Sequence, residues 1–220
     1  MEYFCGYYPK QRRKPDGASL LVQHCEYRQG QVLLACLCRP GKDANEMLEL
    51  LFRWFRGLII APRDFRKADK AMGKWKRQLE DLLSMEGCVS LEFSAGIHAA
   101  GILCFGNRAI LFCRGEMEIL LIQEDIGRAK LRRVRVCPSR VSGWEMELAS
   151  VQPNVGFLLT SQEFATHILD VKLNECLKMR NIVSEEQLQK QLEELVEVSA
   201  DDDMGAACVI GVKIGGANGD

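Results

Sequence analysis

The chain has 220 residues, 47% hydrophobic and 27% charged, with a formal net charge of -1 and a pI near 6.3. That length can bury a full core in one domain, and the charge balance argues against a dedicated nucleic-acid binder, which carries a basic excess. No apolar run reaches the roughly 18 residues that span a bilayer, and the opening MEYFCGYYPKQRRK lacks a basic-then-apolar signal pattern. The expectation is a cytoplasmic chain with no nucleic-acid or membrane partner, built as one domain over residues 1–214 with a flexible tail at 215–220. The ten cysteines sit in apolar runs and form no CxxC pair, so they read as small reduced core residues rather than disulfides or a zinc site.

In chain order, Glu2 to Tyr8 is a short aromatic edge strand and Pro9 to Gly17 a polar, basic loop. Ser19 to Tyr27 and Gln31 to Cys38 are apolar strands joined by a hairpin-length connection. The break Arg39-Pro40-Gly41 leads to a helix with Asp43 as N-cap and Glu46 completing a capping box; Met47, Leu50, Leu51, Trp54 and Phe55 form its core stripe, and Gly57 ends it. Pro62 opens a second helical region, expected over Asp64 to Met85, with apolar residues three or four apart and basic residues on its solvent side.

Four strand-like runs follow: Cys88 to Phe93, Ile97 to Phe105, Arg108 to Cys113 and Met117 to Gln123. Turns at Gly96, Gly106-Asn107 and Gly115-Glu116 make them an expected antiparallel meander. Arg128 to Arg140 is a basic exposed strand, and Val151 to Thr160 a strand broken at Pro153-Asn154. Ser161 N-caps a helix from Gln162 to Lys178. The helix Ser184 to Val198 has a Ser184/Gln187 capping box, and Asp201 to Asp203 joins it to a strand over Ala206 to Ile214. Hairpin-linked strands with helices in separate blocks give an α+β chain, most economically a four-layer α-β-β-α sandwich of two antiparallel sheets.

In this order the segments resemble the metal-dependent serine/threonine protein phosphatases of the PPM family in their compact bacterial form. The likeness spans nearly the whole chain. The acidic first loop of the family is matched by Pro15-Asp16-Gly17-Ala18, and its strand ending Asp-Gly-x-Gly-Gly by Leu33 to Cys38 with Arg39-Pro40-Gly41. The Gly-Thr-Thr strand is matched by Gly96-Ile97-His98 and the Gly-Asp-Ser-Arg hairpin by Gly115-Glu116-Met117-Glu118. Ser161-Gln162-Glu163 stands at the Ser-Asp-Gly helix start, and Asp202-Asp203 at the terminal Asp-Asn.

The resemblance implies two Mg or Mn ions held by carboxylates, which activate a water against a phosphoester. At those positions this sequence departs. Arg39 stands where the bridging aspartate belongs, Pro40 where a glycine offers its carbonyl, and Gln162 where Ser-Asp-Gly has its aspartate. Asp202 is carried over, and Asp16 only with a register shift. The expectation is therefore no catalytic, cofactor-binding or metal residue, and a degenerate site at Asp16, Arg39, Pro40, Gln162 and Asp202. The reading is a pseudophosphatase, a binding or regulatory module in serine/threonine phosphorylation signalling. Its partner by family analogy is a kinase, a phosphoprotein or a phosphatase. The alternative is a weakly active phosphatase using Mg or Mn in a rearranged site.

Several residues carry two readings. Arg39 makes either an ion pair with Asp202 or Asp16, the favoured reading, or an anion site with Arg12 or Arg13. Asp201 to Asp203 is a solvated acidic turn or a lone metal site. His98, among Ala95, Ala99 and Ala100, reads as a satisfied polar core group rather than a base. Cys38 beside Arg39 could have a lowered pKa, but Pro40 removes an N–H that a phosphate-cradling loop would need.

Overall fold

The computed structural model describes residues 2–8, 19–39, 42–89, 97–124, 131–137, 143–153, 155–168, 170–178, 182–199 and 206–212. Within these, two five-stranded antiparallel sheets form. The first contains β1 (Glu2–Tyr8), β10 (Ala206–Val212), β9 (Val155–Ser161), β6 (Met117–Glu124) and β7 (Leu131–Cys137), in that spatial order. The second runs β2 (Ser19–Tyr27), β3 (Gly30–Cys38), β4 (Ala99–Phe105), β5 (Arg108–Arg114), β8 (Glu145–Ser150). Helices α1 (Lys42–Arg56), α2 (Pro62–Arg66) and α3 (Ala68–Val89) cover the second sheet, and α4 (Gln162–His167), α5 (Asp170–Cys176) and α6 (Glu185–Ser199) cover the first. This is the α-β-β-α sandwich expected from the sequence.

Strand β3 shows why. Its alternate residues Leu33, Ala35 and Leu37 enter the core between the sheets, while Val32, Leu34, Cys36 and Cys38 face α1 and α3. A strand buried on both faces reads as one unbroken apolar run, because neither side is left for water. Between the sheets, these residues meet Phe157, Leu159 and Val209. Gly101 on β4 is required there, since a Cβ would lie 2.1 Å from Phe112 Cζ. Cys5, Cys36, Cys38, Cys104, Cys113, Cys176 and Cys208 are buried. Burial pushes the thiols of Cys5, Cys104 and Cys208 up, Cys208 to about 12, so they stay protonated and pack as small hydrophobes.

The outer edge of β1 is closed by side chains. Tyr3 N–H donates to Gln31 Oε1 at 2.7 Å, and Cys5 N–H to Glu185 Oε1 at 3.4 Å. Tyr7 N–H donates to Gln189 Oε1 at 2.9 Å, and Gln189 Nε2 donates back to Tyr7 O at 2.7 Å. Polar side chains thus stand where a further strand would pair.

The structure corrects the sequence reading in several places. The strand expected from Cys88 begins inside α3, which runs to Val89; residues 90–96 lie outside the described set. The meander breaks at Gly115-Glu116, because β6 pairs with β9 and β7 rather than with β5, so the chain changes sheets there. A Gly-containing two-residue link suits a hairpin or a crossover equally, and only the pairing partners decide. Strand β8 is an addition to the expected set: Glu145–Ser150 is short and partly polar, as an edge strand is. Two helices expected to be continuous are broken, at Lys67 (φ -128°) and at Ile168 (ψ 111°), where the backbone leaves the helical region. Helix α1 begins at Lys42, so Asp43 lies in its first turn rather than at the cap. No helix among the described residues is long and apolar enough to cross a membrane.

Candidate functional site

Four of the six segments that carry the resemblance meet at one end of the sandwich. Arg39 follows β3 and His98 precedes β4. Gly115-Glu116 links β5 to β6, and Ser161-Gln162 joins β9 to α4. Each ladder extends by one bond at this end. Arg39 N–H donates to His98 O at 2.9 Å, continuing the pairing of Cys38 with Ala99. Gln162 N–H donates to Glu116 O at 3.0 Å, continuing the pairing of Met117 with Ser161.

Glu116 is the joint. Its carbonyl is bonded to the first sheet through Gln162, and its N–H donates to His98 Nδ1 in the second at 2.9 Å. Its carboxylate accepts from Arg39 Nη1 in a close ion pair. One residue thus fastens both sheets at this end with two main-chain bonds and one charge-assisted bond. Gly115 permits it. Its φ of +68° is left-handed, and a Cβ there would stand 2.6 Å from His98 Nδ1 and 2.9 Å from Ile97 O. Because Nδ1 accepts, the ring carries its proton on Nε2. Burial holds the His98 pKa below its ordinary 6.5, and Arg39 and Arg114 add to this while Glu116 opposes it.

Of the expected degenerate positions, Arg39 and Gln162 lie together at this end of the sheets, while Asp16, Pro40 and Asp202 lie outside the described residues, as do Arg12 and Arg13. Arg39 is in an ion pair, and among the described residues its partner is Glu116; the expected partners Asp202 and Asp16 lie outside the described set. A signal for this exists in the sequence, since Glu116 matches the acidic residue of a family hairpin, but 77 positions separate it from Arg39. His98 is a satisfied polar group as expected, though half-exposed rather than buried in the core. Ser161 is an N-cap as expected, its Oγ accepting from Phe164 N–H at 3.1 Å. Cys38 is fully buried on the helix-facing side, 3.9 Å from Cys36 Sγ, which closes the reading of it as a nucleophile.

A hard dication needs several oxygen ligands with net negative charge. At the end of the sheets where Arg39 sits, Glu116 offers a carboxylate already bound to a guanidinium, and Gln162 a neutral amide. No group of three His, Cys, Asp or Glu side chains suited to a metal gathers among the described residues. The described donor set therefore does not fit a metal pair.

The architecture is that of the PP2C (PPM) serine/threonine phosphatases. A bacterial serine phosphatase, solved as a point mutant, superposes with a TM-score of 0.61 at 13% identity, over 97% of this chain and 99% of that one. The phosphatase domain of the cell-fate determinant SpoIIE from Bacillus subtilis, solved with a fragment of its regulatory domain, gives 0.56 at 12% identity. That match covers 96% of this chain, which spans 63% of the SpoIIE chain. The catalytic domain of the phosphatase PstP in complex with two manganese ions gives 0.51 at 12% identity, over 96% of this chain and 100% of that one. No protein-family model and no curated protein matches the sequence. At these identities the likeness shows the fold.

Proposed function

We propose that this chain is a pseudophosphatase: a PP2C-type scaffold that has lost metal-dependent hydrolysis and works as a binding or regulatory module in serine/threonine phosphorylation signalling. The observation that carries this reading is Arg39, a cation held by Glu116 at the position that the sequence resemblance gives to the family's bridging carboxylate. Gln162, a neutral amide where a second carboxylate belongs, supports it. The partner class is a kinase, a phosphoprotein or another phosphatase. SpoIIE, which shares this fold, carries a regulatory domain beside its phosphatase domain.

The test is hydrolysis of p-nitrophenyl phosphate and of a phosphothreonine peptide with Mn²⁺ or Mg²⁺. The expected result is no turnover above the metal-only blank. Metal-dependent turnover that Asp202→Ala abolishes would overturn the proposal in favour of a weakly active phosphatase with a rearranged site.

A further inference from the structure

The two outer helical layers carry patches of opposite charge. Between Pro62 and Gln78 there are seven lysines and arginines against two aspartates. One of these, Asp69, is engaged by Arg108 at 2.5 Å, and Lys76 is paired with Glu80 at 3.3 Å. Arg63, Arg66, Lys67, Lys70, Lys74 and Arg77 are exposed, and none has an acidic partner among the described residues. On α3, Lys70, Lys74 and Arg77 stand at i, i+4 and i+7, which makes one ridge. Ile59, 90% exposed, lies just before this ridge.

Helix α6, on the opposite outer face, is the counterpart. It has five glutamates against one lysine, and Lys190 is already paired with Glu194 at 3.9 Å. Glu186, Glu194 and Glu197 fall at i, i+8 and i+11 on its exposed side, a ridge of about 16 Å at 1.5 Å per residue. Val183, 71% exposed, precedes it as Ile59 precedes the basic ridge.

Two sheets separate these faces, so they cannot neutralise each other within one chain. Between chains they can. A net charge of -1 gives copies little mutual repulsion, while the opposed ridges give each copy a large dipole. We propose that this chain self-associates head to tail, the basic α2–α3 ridge of one copy seated on the acidic face of α6 of the next. Such a contact joins two different patches, so it extends into open chains instead of closing as a two-fold dimer. The near-neutral charge of the whole molecule favours a second copy over a membrane or a nucleic acid, both of which call for a basic excess.

Sedimentation velocity of the full chain, at up to about 0.5 mM protein and about 20 mM salt, tests this. The weight-average sedimentation coefficient is expected to rise with concentration, and the association to weaken at least about tenfold at about 500 mM salt, where exposed charges are screened. K70E/K74E/R77E and E186K/E194K/E197K should each sediment as monomers, and mixing the two should restore association because the reversed faces match. K70Q/K74Q, a milder change, should weaken association without lowering the melting temperature. A wild-type chain that stays monomeric at low salt overturns the proposal. So does association that survives both triple variants, or a mixture of folded variants that stays monomeric. Binding of the wild type to anionic vesicles or duplex DNA without self-association would also overturn it.

Discussion

Replacing Arg39 by aspartate tests whether this one side chain keeps metal out of the site. A dication about 4 Å from a guanidinium is repelled by about 8 kcal/mol at an effective dielectric of 20, and by about 2 kcal/mol at that of water. The Arg39 and Glu116 side chains are 38% and 57% exposed, so the weaker half applies: about 2–4 kcal/mol, or about 30- to 1,000-fold in affinity. Arg39→Asp turns that repulsion into attraction and releases the Glu116 carboxylate. If the variant binds Mn²⁺ with a dissociation constant near 1 mM, about 10 mM metal stabilises it by about 1.4 kcal/mol. For 220 residues the unfolding entropy is about 0.46 kcal/mol/K, so the melting temperature should rise by about 3 °C. The wild type, binding at least about 30-fold more weakly, should move by less than about 0.5 °C. Scanning calorimetry with and without metal, each protein against its own metal-free scan, measures both. An equal rise in the wild type would refute the reasoning, and no rise in either would show that Arg39 is not what excludes the ion.

Three further outcomes follow from the packing and the hydrogen bonds. Gly115→Ala should cost about 2–4 kcal/mol, because a Cβ meets His98 Nδ1 at 2.6 Å in a left-handed backbone. Glu116→Gln, which keeps both main-chain bonds of the joint, should cost less than about 1 kcal/mol, since its ion pair is largely solvated. Urea unfolding compares them, and the reverse order would mean that the carboxylate rather than the main chain holds this end together. Gly101→Ala should cost at least about 2 kcal/mol by overpacking against Phe112, and Phe112→Leu in the same chain should recover a large part of it. A double-mutant cycle reads this directly, with simple additivity as the contrary result. For His98 the folded pKa lies below the ordinary 6.5, so the unfolded chain takes up the proton first as pH falls. Its contribution is complete above about pH 6.5 and lost as pH falls through the depressed value, when Nδ1 ceases to accept from Glu116 N–H. His98→Asn should flatten stability against pH in that window, and an unchanged slope would remove His98 from the account.

The fold is legible in the sequence where a local pattern suffices. Met47, Leu51 and Phe55 mark the inner face of α1, and all three are buried; Leu188, Leu192 and Leu195 do the same for α6. The Gly106-Asn107 turn is a hairpin, as its residues say, with Gly106 at φ +64°. What is not legible depends on partners far away in sequence. Gly115-Glu116 looks like another hairpin until β6 is seen paired with β9, and Ile168 carries no mark of the break between α4 and α5. At the site, family positions bring out Arg39 and Gln162. The same resemblance points to Asp202 and Asp16 as partners of Arg39, and both lie outside the described residues. Glu116 reaches Arg39 because the chain crosses from sheet to sheet at that point, which residue spacing does not encode.

The side chains that close the outer edge of β1 also bear on how the protein is made. Gln189 holds both main-chain groups of Tyr7 across 182 positions, and β10, the strand paired with β1, lies farther still along the chain. During synthesis at about 5–20 residues per second, β1 therefore waits on the order of 10–40 s for its neighbour strand and for the helix that seals it. Within that interval, once residue 114 has been made, strands β2 to β5 of the second sheet, which are joined in sequence order and lie within residues 19–114, can assemble with α1 to α3. The sandwich is then completed around a finished half, and a ribosome stalled before residue 185 would carry that half with β1 unpaired.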